Sequence, residues 1–252
     1  MKKLLIANRG EIALRVLRAA RDLEIGTVAV YSQDDSSALH RILADEAVAL
    51  DGAGPAAYID IEGIIAAVKG SGCDAVHPGY GFLSERADFA QACADAGILF
   101  VGPTVEQLAL FGDKGRALAL ARDGDVPVMP ATPGGASLEA ITEFFDAQGG
   151  AGVVIKAVGG GGGRGMRVVR HRDGLPEAYA RCRSEAASAF GVDALYAERL
   201  VARARHIEVQ IAGDGEQVIA LGERDCTLQR RFQKLVEIAP SPVLQPHLRD
   251  EI

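Results

Sequence analysis

Along the first hundred positions, short apolar runs alternate with stretches whose apolar residues recur at helical spacing. Residues 3–7 read KLLIA, a compact strand-like run. Residues 11–23 then place Ile12, Val16, Leu17, Ala20 and Leu23 close to a 3.6-residue period, with Arg15, Arg18 and Asp22 between them. Further strand candidates fall at 27–31, 47–50, 74–77 and 98–101, and helical patterns at 59–69 and 89–96. Strands alternating with helices predict a doubly wound α/β domain built on a parallel sheet.

The pattern changes after Gly112. A helix predicted over 114–122 leads into VPVMP at 126–130 and TPGG at 132–135, and prolines with paired glycines mark a boundary or linker. Beyond it the spacing predicts a helix over 138–148, strands at 153–157 and 166–170, a long helix, and a strand at 194–198, an α+β unit. A third segment begins near His206. The expected division is therefore 1–112 as the first domain, 113–128 as linker, 129–202 as a second unit and 203–252 as the start of a further one.

Composition narrows the function classes. The net charge is −7 and no stretch is strongly basic, which argues against nucleic acid as a partner, because neutralising phosphates needs clustered Lys and Arg. Cys73, Cys93, Cys182 and Cys226 are widely spaced with no C-x-x-C pair. Neither a zinc site nor a disulfide framework is expected, and reduced thiols in the cytoplasm are the default. The N-terminus turns polar at Asn8 and lacks the apolar core of a signal peptide. No apolar run approaches the ~18 residues needed to span a bilayer, so no membrane association is expected. The first turn, Asn8-Arg9-Gly10-Glu11, lacks the G-x-G-x-x-G of a dinucleotide fold.

The chemistry concentrates around a glycine run. Residues 153–169 read VVIKAVGGGGGRGMRVV, with five consecutive glycines between two β-branched runs. Each glycine costs about 0.5–1 kcal/mol relative to alanine in ordered structure, so the run is expected where backbone approaches a ligand closely or must move. Between two strands it reads as a hairpin loop whose amides could cradle phosphate oxygens, with Lys156 and Arg164 adding positive charge. It is not a Walker A loop, since no G-K-[ST] follows and strands flank both sides. Taken alone, the Glu198–Arg199 pair reads equally well as a solvated strand end, His206 as a structural residue, and Arg230 with Arg231 as a surface patch. Cys226, although flanked by arginines, is read as a buried small hydrophobe. His77 and Tyr80 in HPGYG are read as shaping a turn.

Seven segments in order resemble biotin carboxylase, the ATP-grasp component of biotin-dependent carboxylases. They are IANRGEIALRVLRA (6–19), HPGYGFLSE (77–85), FVGP (100–103), GDK (112–114), IKAVGGGGGRGMRVV (155–169), RHIEVQ (205–210) and ERDCTLQRRFQKLVE (223–237). The resemblance implies an N-terminal domain over 1–112, an ATP-grasp lid over 129–202 and the start of the C-terminal ATP-grasp domain over 203–252. It implies ATP-dependent carboxylation of carrier-bound biotin by bicarbonate through carboxyphosphate. By the same resemblance Lys114 contacts nucleotide, Lys156 reaches the ATP phosphates, Gly162 and Gly163 touch phosphate, and Met166 packs near adenine. Glu198, Arg199, Leu200 and Val201 match the hinge that recognises adenine, with Glu198 accepting from the exocyclic amine and Val201 donating through its backbone. His206 matches a nucleotide-side histidine, Gln229 a residue near phosphate and bicarbonate, and Lys234 the lysine that positions bicarbonate. The implied partners are ATP, bicarbonate, a biotin carrier domain and a carboxyltransferase domain or subunit, with assembly into homo-oligomers.

Two departures stand out. Phe232 occupies a position where family members often carry His, and a phenylalanine cannot donate to phosphate. The sequence also stops about half-way along the family's length, before the acidic residues that hold two Mg²⁺ ions and the residues that activate bicarbonate. No metal ligand is therefore expected within the 252 residues, and the chain alone is expected to be catalytically inactive. The alternatives are another ATP-grasp ligase, of the urea carboxylase or carbamoyl-phosphate synthetase kind, and a non-catalytic nucleotide-binding module.

Overall fold

The computed structural model describes residues 1–159, 165–230 and 233–252. The chain divides into two compact units, Met1–Ala117 and Leu118–Ile252.

In the first unit the alternating pattern resolves into β1 (Lys3–Ile6), α1 (Gly10–Asp22), β2 (Gly26–Tyr31), α2 (Leu39–Leu43), β3 (Glu46–Ala49), α3 (Ile61–Gly70), β4 (Ala75–His77), α4 (Ala87–Asp95), β5 (Leu99–Phe100) and α5 (Val105–Phe111). The five strands form one parallel sheet in the order β3-β2-β1-β4-β5. Because side chains alternate across a strand, β1 feeds two cores. Leu4 and Ile6 pack with Ala13, Val16, Leu17 and Ala20 of α1. Leu5 points into the opposite core with Val28, Val30, Ile64, Val68, Val76, Phe89 and Cys93. The doubly wound α/β expectation is met, with helices covering both faces.

Local chemistry sets the helix starts. Asp60 caps α3 by accepting from the Gly63 amide at 3.1 Å. Thr104 and Gln107 form a reciprocal capping box on α5, at 3.2 and 2.9 Å. The turn after β4 is tied back to the end of β1: the Asn8 side-chain amide donates to the carbonyls of Pro78 and Tyr80 at 2.7 and 2.8 Å. Gly79 sits at φ +64°, and a Cβ there would lie 2.7 Å from the Asn8 amide nitrogen. The HPGYG sequence is thus a turn built around a buried asparagine.

Helix α6 (Lys114–Asp123) spans the division between the units. The second unit contains α7 (Leu138–Ala147), β6 (Val153–Ala157), β7 (Met166–Val169), α8 (Leu175–Phe190) and β8 (Leu195–Arg199). The three strands make an antiparallel sheet in the order β7-β6-β8. Residues 130–136 run along the free side of β8: Thr132 donates to the Ala197 carbonyl at 2.9 Å, Ala136 to Leu195 at 3.0 Å, and Arg199 to Pro130 at 3.0 Å. The proline-rich stretch that reads as a linker therefore serves in part as an edge for this sheet. Its core joins Ile141 and Phe145 of α7, Cys182 and Ala186 of α8, and Val153, Ile155, Leu195 and Ala197.

The last segment forms a second antiparallel sheet of β9 (Ile207–Gly213), β10 (Val218–Arg230) and β11 (Gln233–Ile238), ending in α9 (Pro246–Glu251). The register of β10 shifts near Gly222, at φ +104°, and again between Asp225 and Gln229. Ile211, Ile219, Leu221, Leu228 and Leu235 are more than half exposed on this sheet. No helix among the described residues is long and apolar enough to cross a membrane.

One polar cluster is buried in the first unit. The Asp35 carboxylate accepts from the Arg9 guanidinium and, at 2.6 Å, from the Tyr58 hydroxyl. Arg9 above all holds its pKa down from 3.8 to about 2, against the opposing effect of burial. A depressed carboxylate pKa stabilises the fold above its unfolded value and loses that contribution as pH falls through the folded one. The cluster should therefore contribute about 2 kcal/mol at neutral pH that disappears between pH 4 and pH 2. Urea unfolding at pH 6 and pH 2.5 should show Asp35→Asn losing stability at the higher pH and little at the lower. An equal loss at both would contradict this assignment.

Candidate functional site

The expected site residues of the second unit fall into two groups on its two sheets, and Lys114 belongs to the first unit. Lys114 opens α6 and is half-buried. Gly162 and Gly163 lie outside the described residues, as do Arg164, Arg231 and Phe232.

The first group is assembled by strand register. In β6 the residues Val153, Ile155 and Ala157 are buried against α7 and α8, so Val154 and Lys156 point to the other face. Lys156 stands opposite Met166 of β7 on one side and Tyr196 of β8 on the other. In the adjacent row Val154 lies between Val168 and Glu198. One face thus carries Met166, Lys156, Tyr196 and Glu198 within two rows. The Lys156 ammonium forms an ion pair with the Glu198 carboxylate, and both side chains are largely shielded, at 29% and 18% exposure. Gly152 fixes the entry to β6. It sits at φ +79°, and a Cβ there would approach the Val169 carbonyl oxygen to 2.7 Å.

Arg199 follows on the opposite face of β8 and is exposed. The Leu200 amide is already used, donating to the Gly152 carbonyl at 3.0 Å. Val201 is exposed just beyond the strand. Of the four residues expected to form a hinge, Glu198 is the one the strand register places on the face of Lys156.

The second group centres on Glu208, to which the sequence reading gave no role. Glu208 of β9 pairs with Arg224 of β10, directly across the ladder, and with Lys234 of β11. Arg224 also bonds Glu237 at 2.6 Å. His206 Nδ1 lies 2.9 Å from the Gln229 amide, and the same amide donates to the Cys226 carbonyl at 2.9 Å. His206, Gln229 and Lys234 are therefore brought together, and Glu208 connects them: its carboxylate is 3.8 Å from His206 Nε2. His206 immediately precedes β9 and Glu208 lies two residues on, so the H-x-E spacing of residues 206–208 was the signal available. Among the described residues, no hydrogen bond or ion pair joins this group to Lys156 and Glu198.

The second group is a charge-balanced network in which Arg224 and Lys234 pair with Glu208 and Glu237. Lys234, and then Arg224, hold the Glu208 carboxyl below its ordinary 4.5. The same carboxylate raises Lys234 above 10.5. Cys226 is fully buried, and burial first, then the Glu208 charge, pushes its thiol upward. It is a buried small residue and not an activated thiolate. Glu208, Cys226 and Glu237 offer ligand atoms within 4.8 Å of one another. They do not fit a magnesium ion, which takes hard oxygen donors in octahedral geometry. Arg224 and Lys234 already occupy these carboxylates, and the third donor is a protonated thiol.

Residues 1–108 match the family model described as the biotin carboxylase N-terminal domain. Residues 113–252 match the ATP-binding domain of the carbamoyl-phosphate synthase L chain. The chain belongs to the biotin carboxylase family. Its fold is that of the biotin carboxylase ATP-grasp proteins. It is 52% identical over its whole length to Bacillus subtilis pyruvate carboxylase, of which it spans 22%. Over 99% of its length it is 48% identical to the biotin carboxylase of a Nostoc strain, of which it spans 56%. The chain thus covers between about a fifth and just over half of these relatives. The biotin carboxylase domain of Hydrogenobacter thermophilus 2-oxoglutarate carboxylase, crystallised as a dimer with MgADP, ADP and bicarbonate, superposes with a TM-score of 0.93. That pair is 43% identical, covering 99% of this chain and 55% of the other.

The Glu208–Lys234 pair gives a direct check. A depressed carboxylate and a raised ammonium keep the pair charged from below pH 4.5 to above pH 10.5. Glu208→Gln should bring the Lys234 pKa back toward 10.5, read from its ¹³Cε shift during an NMR pH titration. An unchanged Lys234 titration would contradict the pairing.

Proposed function

We propose that this chain supplies the nucleotide-binding part of a biotin-dependent carboxylase. The observation that carries the reading is the Lys156–Glu198 pair on the open face of the β7-β6-β8 sheet. It offers a cation for phosphate and a carboxylate acceptor for an exocyclic amine, within one two-row patch. The Hydrogenobacter complex with MgADP and bicarbonate supports the same ligands here.

In this reading Lys156 neutralises phosphate charge, Met166 packs against the base, and Glu198 accepts from the adenine amine. Lys114, Gly162 and Gly163 add nucleotide contacts, and Arg199, Leu200 and Val201 form the hinge, with the Val201 amide donating to the base. The second group receives bicarbonate. Lys234, held charged by Glu208, attracts the anion, Gln229 lies near phosphate and bicarbonate, and His206 contacts the nucleotide. A bicarbonate oxygen attacks the γ-phosphorus, the bond to the β-phosphate oxygen breaks, and carboxyphosphate and ADP result. Carboxyphosphate then yields CO₂ and phosphate, and the biotin ureido nitrogen bonds to the CO₂ while its proton passes to that phosphate.

The whole protein would use Mg²⁺ on the phosphates, held by residues other than those described here. It would act with a biotin carrier and a carboxyltransferase, and assemble as a homo-oligomer. Four buried free cysteines support a reducing, cytoplasmic setting. The domain limits we favour are 1–112, a linker over 113–128, a lid over 129–202 and the start of the next domain over 203–252.

Calorimetric titration of the chain with ATP tests this reading. ATP should bind, and Lys156→Ala should weaken it by at least about tenfold, the effect of removing one charge-assisted contact to phosphate. Equal affinity in the variant, or no binding by the unaltered chain, would overturn the assignment.

A further inference from the structure

Tyr196 has no place in the nucleotide site as drawn above, yet it lies at its centre. It occupies the row of Lys156 and Met166, one row from Glu198. Side chains two apart on a strand share a face, so Tyr196 and Glu198 are neighbours. Tyr196 is 5% exposed, although Val168, two strands away on that face, is 46% exposed. The register of β8 sets Tyr196 and Glu198 on one face two residues apart, and burial first, then that carboxylate, raise the Tyr196 pKa. It is therefore a neutral donor at every working pH.

The Lys156–Glu198 pair poses a physical problem once a nucleotide arrives. If Lys156 turns to a phosphate, Glu198 is left largely shielded without its cation, and a carboxylate in that position needs a donor. A carboxylate accepts at about four lone-pair positions. One bond from a fixed phenol leaves the other oxygen available to an incoming amine. Resting on the nucleotide reading above, we propose that Tyr196 is a positioning residue, holding the Glu198 carboxylate in place when Lys156 leaves it and so setting the preference for a base with an exocyclic amine.

Inosine triphosphate is the discriminating probe, because it replaces the adenine amine with a carbonyl that a carboxylate repels. Affinities of the chain for ATP and ITP, measured by calorimetry, give a preference ratio. Glu198→Gln should collapse that ratio to within about threefold of unity. Tyr196→Phe, which removes one oxygen and no packing volume, should reduce it by roughly tenfold, the effect of one hydrogen bond to a charged group. A merely structural role for Tyr196 would weaken both nucleotides equally and leave the ratio unchanged, which overturns the inference alone. An unchanged ratio in Glu198→Gln, or no ATP binding by the unaltered chain, overturns the adenine reading and this inference with it.

Discussion

A strand that gives every second side chain to a core must show the remaining ones to something else. In β6 that constraint separates Val153, Ile155 and Ala157, packed on α7 and α8, from Lys156 on the other face. The antiparallel register then does the selection, setting Lys156 between Met166 and Tyr196 and one row from Glu198. A one-residue slip would bury Lys156 and turn Ile155 outward, so core packing and ligand chemistry are fixed by one register. The candidate site depends on this more than on any single contact.

The second sheet uses the same device with a different outcome. Glu208 is bound by Arg224 across the ladder and by Lys234 from β11, and the register shifts in β10 bring Gln229 back to His206. Both sheets therefore hold a lysine against a carboxylate. A paired lysine keeps its proton and one rotamer, which lowers the cost of presenting it to an anion. The sheets differ in support: the first is backed by two helices, while β9–β11 leave Ile219, Leu221 and Leu235 largely exposed.

Much of this was legible in the sequence, for physical reasons. The β-branched runs on either side of the glycines announced a hairpin pair, observed as Val153–Ala157 and Met166–Val169. The amphipathic spacing of α1 and the apolar strands foretold a parallel sheet packed on both faces. Other features were hidden. Helix α5 has only seven residues, too short for a periodic signal, although Thr104 and Gln107 spelled its cap. The β9–β11 strands escaped because their exposed apolar positions blur the two-residue alternation. Glu208 and Tyr196 were missed since each acts through a neighbour brought beside it by strand geometry.

The most direct test is the crystal structure of the chain with a non-hydrolysable ATP analogue. The account predicts that Lys156 Nζ leaves Glu198 for a phosphate oxygen while the Glu198 carboxylate faces the adenine amine. A nucleotide bound elsewhere, with the Lys156–Glu198 pair intact, would contradict it.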